Sequence, residues 1–154
     1  MKKYLFLFSL LFTVCLSCKK AAAPFNAAAQ AATDDALIQA YIKTNNINAV
    51  KDTSGLYYEV ITPGTGPYPT ANSTVNVLYS GTLLNGSIFA GTSSIAGPLS
   101  GFVKGWQIGI PHINTGGTIL LLVPSALGYG NSAQGSSIPA NSVLVFTVNL
   151  INFY

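Results

Sequence analysis

Aromatic side chains are the residues of this sequence whose chemistry stands out first. They occur in turn-rich stretches, at Tyr79, Phe89, Phe102, Trp106, Tyr129 and Phe146. Core packing explains each of them taken singly. Taken together, they also suit an apolar cleft with a few hydrogen-bond donors, which is the kind of site that would bind a proline-bearing peptide.

The same region contains few residues that could act as an acid, a base or a metal ligand. From Val60 to Tyr154 the only charged side chain is Lys104, and His112 is the only other group that titrates near neutral pH. His112 has no Cys, Asp or Glu near it in sequence that could complete a metal site. No serine lies in the G-x-S-x-G setting of a hydrolase nucleophile. The sequence therefore argues against hydrolases and metalloenzymes, and neither a metal nor a cofactor is expected.

The first residues resemble a bacterial export signal rather than a transmembrane helix. Lys2 and Lys3 precede an apolar run that is too short to span a bilayer comfortably. The run leads into CLSC, which resembles the lipobox at which a signal is cut and the final cysteine is acylated. We therefore predict a lipoprotein signal at 1–17, lipid attachment at Cys18 and an Ala-rich tether over 18–33.

Charge and cysteine content limit the partners further. The formal net charge of +3 includes Lys2 and Lys3 of the signal, so the remainder carries little charge and offers no basic patch for nucleic acid. The only possible disulfide partner of Cys18 is Cys15, which lies inside the apolar signal. A structural disulfide is therefore not expected, and the domain must be stabilised by packing alone.

A short helical lead-in is predicted over 34–54. Asp34 or Asp35 can cap the helix, which is expected to end near Asn45. Apolar residues recur on one side of it at helical spacing, namely Leu37, Ile38, Tyr41 and Ile42. We interpret this stripe as a packing face rather than a ligand site.

From Gly55 onward the pattern is that of β-strands separated by turn-forming residues. The candidate strands are GLYYEVI, STVNVLYSGTLL, TILLLVP and SVLVFTVNLINFY. Asn85-Gly86 suits a tight two-residue turn, which would pair 82–84 with 87–89 as a hairpin. The two most apolar strands are the last two, and we expect them to be central in the sheet.

One segment of this half has a helical pattern instead. In GFVKGWQIGIPHI, the side chains of Val103, Trp106 and Ile110 fall on one face, and Pro111 must shorten or bend the helix. The predicted fold class is therefore α+β. The domain over 55–154 should be an antiparallel sheet of about five strands with this short helix packed across one face.

Four stretches of the second half carry a family pattern: VNVLYSGTLLNGSIF, FVKGW, GGTILLLVPSALGYG and IPANSVLVFTVNLI. In this order they resemble the FKBP-type peptidyl-prolyl isomerase family over about Gly55 to Tyr154. Members of that family have a half-barrel, in which the sheet wraps around a short helix and a proline pocket lies between them. The Cys18 anchor and the helix before Gly55 are similar to those of lipid-anchored bacterial members.

The resemblance also implies roles for individual residues. Trp106 would form the floor of the pocket, while the hydroxyl of Tyr129 and the backbone N–H of Ile138 would donate hydrogen bonds to the substrate. The side chain of Ile138 would form part of the wall as well. The other residues around the substrate would be Tyr79, Phe89, Ala90, Phe102, Val103 and Phe146.

One position departs from the family. The residue that follows the pocket phenylalanine is usually Asp, whose carboxylate hydrogen-bonds within the pocket, and here it is Ala90. A methyl group cannot accept a hydrogen bond from Tyr129. Reduced turnover or an altered choice of substrate is therefore expected.

Three functions stay open at this point. The first is a peptidyl-prolyl isomerase that assists the folding of exported proteins, and the second is a non-catalytic module or chaperone that binds proline-containing segments. The third is a structural or adhesive domain of the cell envelope. The expected partners are proline-containing segments of exported or unfolded proteins and a membrane reached through the lipid. We expect a monomer in the cell envelope, held at the outer membrane and facing the periplasm.

Overall fold

The computed structural model describes residues 25–154. Its helices are α1 (Ala27–Asn45) and α2 (Lys104–Gly109), and its strands are β1 (Val50–Lys51), β2 (Tyr57–Thr62), β3 (Thr74–Leu83), β4 (Ile88–Pro98), β5 (Thr118–Val123) and β6 (Leu144–Phe153). Short 3-10 turns cover Leu99–Gly101, Ile110–His112 and Ser125–Leu127. The predicted signal at 1–17, the lipid site at Cys18 and the tether as far as residue 24 lie outside the described residues.

The strands form one six-stranded antiparallel sheet in the order β1-β2-β5-β6-β3-β4. On one face α2 packs over the main core, which includes Trp106, Leu121 and Phe146. On the other face α1 packs over a smaller cluster around Ile38 and Leu122. Both clusters draw on the same strands because successive side chains of a strand point to opposite faces. The predicted α+β class is confirmed, and the additional strand is the two-residue β1.

The start of α1 lies within the stretch predicted as a tether. Asn26 caps the helix, because its side chain accepts a hydrogen bond from the Ala29 N–H at 3.0 Å. From Ala27 the chain is continuously helical. The prediction of a tether is therefore wrong for 27–33, since alanine is the best helix former and Asn26 is a strong cap.

The two acids predicted as caps lie in the middle of α1 instead. Asp34 is buried and Asp35 is partly exposed, and each accepts hydrogen bonds from the body of the domain. The predicted packing stripe is confirmed in part. Ile38 is fully buried, whereas Leu37 is 49% exposed. The helix ends at Asn45, as predicted.

The predicted hairpin of β3 and β4 forms, but through a different turn. Thr82 pairs with Ile88, and the Gly86 N–H donates to the Leu83 carbonyl at 2.9 Å. Gly86 has a φ of +85°, whereas Asn85 has no positive φ. This is the three-residue loop in which a type I turn is followed by a left-handed residue. The two-residue turn was wrong because it requires a positive φ at Asn85 as well.

The short helix α2 lies directly against β5. A Cβ added to Gly105 would lie 2.6 Å from Val123 Cγ1, and one added to Gly109 would collide with the Leu121 side chain. Glycine at these two positions therefore allows the close approach that places Trp106 over the sheet. Pro111 lies in the 3-10 turn after the helix, which agrees with the predicted shortening.

Candidate active site

The aromatic residues singled out in the sequence surround one cavity of about 380 Å³ between α2 and the sheet. It is lined by Tyr79, Phe89, Ala90, Ile95, Gly101, Phe102, Val103, Trp106, Tyr129, Ile138 and Phe146. Every residue that the resemblance assigned to the substrate site is among them. The role of each residue toward a substrate stays a prediction.

Trp106 is the centre of the aromatic packing. Its ring is 5.0 Å from that of Tyr79 and 5.3 Å from that of Phe146, in both cases edge to face at 79°. Phe102 packs against it at 5.1 Å. Such contacts add to the stability from buried area and hold the rings in one arrangement. Trp106 itself is almost fully buried, at 3% exposure, and it also lines the cavity.

Two β-bulges in β4 explain how Phe89 and Ala90 can both reach the cavity. Neighbouring residues of a regular strand point to opposite faces. Here the pairing jumps from Tyr79 opposite Ser93 to Gly81 opposite Ala90, and again between Gly81 and Thr82, so β4 contains extra residues. Bulges are found next to active sites because they redirect side chains in this way.

Gly81 makes room for the ring of Phe89. A Cβ at this position would collide with the edge of that ring and would lie 3.2 Å from Phe146 Cε1. The rings of Phe89 and Phe146 themselves meet edge to face at 5.4 Å. The glycine therefore lets two aromatic walls of the cavity close against the strand.

Tyr129 stands at the mouth of the cavity and is 39% exposed. Its hydroxyl has no hydrogen-bond partner among residues 25–154, and the nearest equivalent of the family carboxylate is the methyl group of Ala90. The hydroxyl is therefore available to a ligand, but no side chain orients it.

The backbone donors differ from the prediction. The Ile138 N–H donates to the Gln134 carbonyl at 3.3 Å, so the donor assigned from the resemblance is already engaged in a long hydrogen bond. The Val103 N–H, by contrast, has no acceptor within the described part of the chain, and Val103 lines the cavity. Val103 caps the start of α2, where backbone N–H groups lack helical partners. Sequence analysis missed this donor, although the position before a short helix could have indicated it.

Ile95 and Gly101 also line the cavity without having been predicted. Ile95 belongs to β4, which continues to Pro98 opposite β3. The sequence TSSIAGPLSG has the small residues of a loop, which hid this part of the strand. Residues 91–96 of this edge strand are exposed, so the segment needs no large apolar side chains to pack.

No acidic side chain, histidine, lysine or cysteine lines the cavity. Lys104 is exposed and donates to the Gln107 side chain at 3.2 Å, and His112 stacks on Tyr58 with ring centroids 4.2 Å apart. The shifted pKa values lie on the other face of the sheet. There the hydrogen bond from Lys51 and then that from the Tyr57 hydroxyl lower the pKa of Asp35. The site is thus suited to shape-selective binding of an apolar group, without proton transfer.

A half-barrel around a short helix, with an aromatic cavity between them, defines a class of proline-binding isomerase domains. The family model described as "FKBP-type peptidyl-prolyl cis-trans isomerase" matches residues 66–151. The chain therefore belongs to the FKBP-type peptidyl-prolyl isomerase family.

Relatives and solved structures agree with this membership. The isomerase FkpA of Escherichia coli is 40% identical over 103 residues, which are 64% of this chain and 38% of FkpA. Outer membrane protein MIP of Legionella longbeachae is 36% identical over 103 residues, 64% of this chain and 44% of that protein. The crystal structure of a peptidyl-prolyl isomerase from Pseudomonas syringae pv. tomato matches with a TM-score of 0.71 and 28% identity, covering 85% of this chain and 98% of that one.

The chain spans less than half the length of the curated relatives it matches. Within residues 25–154, no helix is both long enough and apolar enough to span a bilayer.

Proposed function

We propose that the protein is a peptidyl-prolyl cis-trans isomerase that acts without covalent chemistry. The observation that carries this proposal is the cluster of aromatic side chains around Trp106 in a cavity that no carboxylate, histidine, lysine or cysteine lines. A proline ring would enter this cavity and contact the indole, while the flanking peptide stays near the mouth.

The chemistry requires only that the pocket bind the twisted amide better than the planar one. The barrier is the loss of amide resonance, about 18–20 kcal/mol for a peptide bond. A twisted amide has less charge separation than a planar amide, so an apolar cavity disfavours it less than water does. Each preference of about 1.4 kcal/mol for the twisted form accelerates the reaction about tenfold.

Hydrogen-bond donors would hold the peptide around the rotating bond. The Tyr129 hydroxyl and the Val103 N–H are both without partners among the described residues, and both belong to residues that line the cavity. Each would donate to a carbonyl oxygen of the substrate. Fixing the flanking carbonyls lets the bond between them rotate without moving the whole chain.

A refolding assay tests this proposal. The refolding of a protein limited by proline isomerisation takes on the order of tens of seconds or longer without a catalyst, and the protein should shorten it. Trp106→Leu, which keeps an apolar side chain but removes the aromatic floor, should lose most of the acceleration. If the folded protein gives no acceleration even at concentrations comparable to the substrate, it is not an isomerase.

Non-catalytic binding of proline-containing segments is a second candidate function. Ala90 favours it, because the Tyr129 hydroxyl lacks the carboxylate partner that the family usually provides. Titration of proline peptides against the fluorescence of Trp106, the only tryptophan of the chain, separates the two functions. Saturable binding without catalysis would favour the binding module.

We also propose that the substrates are exported proteins and that Cys18 anchors the protein by a lipid in the cell envelope, facing the periplasm. The signal-like start of the sequence supports this location, and one relative is named an outer membrane protein. Metabolic labelling with a fatty-acid analogue, compared between the wild type and Cys18→Ala, tests the anchor. Label retained in the variant would rule out Cys18 as the attachment site.

A further inference from the structure

A buried acid on α1 connects this helix to the loop that carries Tyr129. Asp34 is 1% exposed, and its Oδ2 accepts hydrogen bonds from the Ser125 N–H at 2.8 Å and from the Ser125 hydroxyl at 2.6 Å. Gln30 donates to the other oxygen, Oδ1, at 2.7 Å. These three donors solvate a carboxylate that forms no ion pair with any described lysine or histidine. Retaining such a group at this depth is costly unless the hydrogen bonds are made.

Ser125 in turn holds the backbone on both sides of Tyr129. Its carbonyl accepts hydrogen bonds from the Gly128 N–H at 3.0 Å and from the Gly130 N–H at 2.8 Å. The amides that flank Tyr129 therefore converge on one carbonyl oxygen, and the residue that owns this oxygen is fixed by Asp34. The chain of contacts runs from α1 through Ser125 to the two neighbours of Tyr129.

The connection matters here because no described side chain hydrogen-bonds to Tyr129, so the loop backbone must help to orient it. Two further backbone hydrogen bonds hold this loop, from the Ser132 N–H to the Tyr129 carbonyl at 3.2 Å and from the Asn141 N–H to the Gly130 carbonyl at 2.8 Å. The Tyr129 hydroxyl has no partner in residues 25–154, and Ala90 supplies no acceptor. With no hydrogen bond at its hydroxyl, the direction of this partly exposed side chain depends on its packing and on the backbone from which it projects. A loop without this support would hold the phenol in a wider range of positions over the cavity mouth.

We propose that Asp34 is a positioning residue for Tyr129, a proposal that rests on the proposed isomerase function. Asp34 acts through Ser125 and not by contact with the substrate. α1 is thus part of the machinery of the site, although it packs on the opposite face of the sheet.

A double-mutant cycle tests the proposal. Asp34→Ala should lower kcat/KM about tenfold in the wild-type background, since hydrogen bonds to a charged group are lost. In a Tyr129→Ala background the same substitution should have less than about a twofold effect, because no phenol remains to be positioned. Asp34→Asn keeps an acceptor and should recover part of the activity. A loss of equal size in both backgrounds would show a merely structural role and would overturn the proposal.

Asp35→Ala is the matched control, because it removes the same charge from the next residue of the same helix. It should leave kcat/KM of the folded protein unchanged. If Asp34→Ala does not fold, Ser125→Ala replaces it in the cycle, since only the hydroxyl donor is lost. We expect Ser125→Ala to lower kcat/KM two- to threefold, which in free energy is about half the effect of Asp34→Ala. The loss should again be confined to the background that retains Tyr129.

Hydrogen exchange separates failure of this proposal from failure of the proposed function. If the wild type is not an isomerase, the Gly130 amide should still exchange faster in Asp34→Ala than in the wild type, while amides of β6 keep their rates. An unchanged exchange rate of the Gly130 amide would show that Asp34 does not hold this loop through Ser125. That result would overturn the proposal whether or not the protein is an enzyme.

Discussion

The two faces of the sheet use opposite physical means to hold what packs on them. On the face covered by α1, two acidic side chains accept hydrogen bonds: Asp34 from Ser125, and Asp35 from Lys51 and Tyr57. On the face covered by α2, aromatic rings meet around a cavity that no charged side chain lines. The same strands serve both faces, with alternate residues turned each way.

The contrast indicates what each face is for. Hydrogen bonds to a carboxylate are directional, so they fix the position of one element on another. Apolar packing is less directional, but it keeps water out and leaves a low local dielectric. An isomerase needs both, since the amide must be desolvated while its neighbours are held still. The following substitutions test whether the faces are separable.

The largest difference should come from two neighbouring residues of β6. Phe146 faces the cavity and Val145 faces α1, and both are almost fully buried. Phe146→Ala should cost about 3–5 kcal/mol in free energy of unfolding. It should also lower kcat/KM more than tenfold, because a wall of the pocket is lost. Chemical denaturation and the refolding assay measure the two effects.

Val145→Ala is the control for this substitution. It removes about two methylene equivalents and should lower the free energy of unfolding by roughly 2 kcal/mol, including the cavity left behind. Val145 packs in the cluster around Ile38 and Leu122 and does not line the cavity. The folded protein should therefore keep most of its activity. Equal losses of activity in both variants would mean that the two faces do not act separately.

A smaller effect is expected where the backbone makes room for an aromatic wall. Gly81→Ala would force its Cβ into the ring of Phe89, so the ring must move toward the cavity. Overpacking of this kind costs about 1–3 kcal/mol, and peptide affinity should fall several-fold because the pocket narrows. Gly91→Ala on β4 has open space around its Cβ and serves as the control. Titration against Trp106 fluorescence compares them, and equal affinities would contradict the close packing at Gly81.

Much of the cavity face could be predicted from sequence, because its elements have strong local signals. Long apolar runs predicted β5 and β6, and Pro111 predicted the shortening of α2. The family motifs then placed Trp106, Tyr129 and Phe146 around one site. The prediction failed for the segments between these motifs. The bulges of β4 depend on pairing register, which side-chain type does not encode, and the free N–H of Val103 depends on where the short helix α2 begins.

The α1 face was predicted less well, for a different physical reason. Asp34 and Asp35 look like helix caps when only neighbours in sequence are considered. Their partners Ser125, Lys51 and Tyr57 lie 91, 16 and 22 residues away. Tertiary contacts of this range override a local propensity, and a single sequence holds no record of them.

Restoring a carboxylate to the cavity should have a moderate effect. Ala90→Asp would place an acceptor among the residues that line the site with Tyr129. We expect kcat/KM to rise about fivefold, the equivalent of one hydrogen bond of about 1 kcal/mol. Ala96→Asp adds the same charge on the exposed outer part of β4 and should leave the rate unchanged. An unaltered or lower rate in Ala90→Asp would show that this chain does not lack an acceptor there.

The smallest effect should belong to the exposed ion pair that joins α1 to β1. Lys51 Nζ lies 2.5 Å from Asp35 Oδ1, with both side chains partly exposed. Lys51→Met should lower the melting temperature slightly and leave catalysis unchanged, since surface pairs contribute little and are screened by salt. Of the contacts on the α1 face, this ion pair should contribute least to stability.

The pH dependence of this small effect has a definite sign. The Lys51 hydrogen bond, followed by that of Tyr57, lowers the pKa of Asp35, so its folded-state pKa lies below that of the unfolded chain. The contribution to stability is therefore full above about pH 4, the usual range of an unfolded Asp, and is lost as the pH falls through the folded-state pKa. The melting temperatures of wild type and Lys51→Met should thus differ at neutral pH and converge in acid. A difference that persists when the carboxylate is protonated would show that the Lys51 ammonium also acts on the Tyr57 ring, whose centroid lies 5.3 Å from Nζ, and not through the ion pair with Asp35 alone.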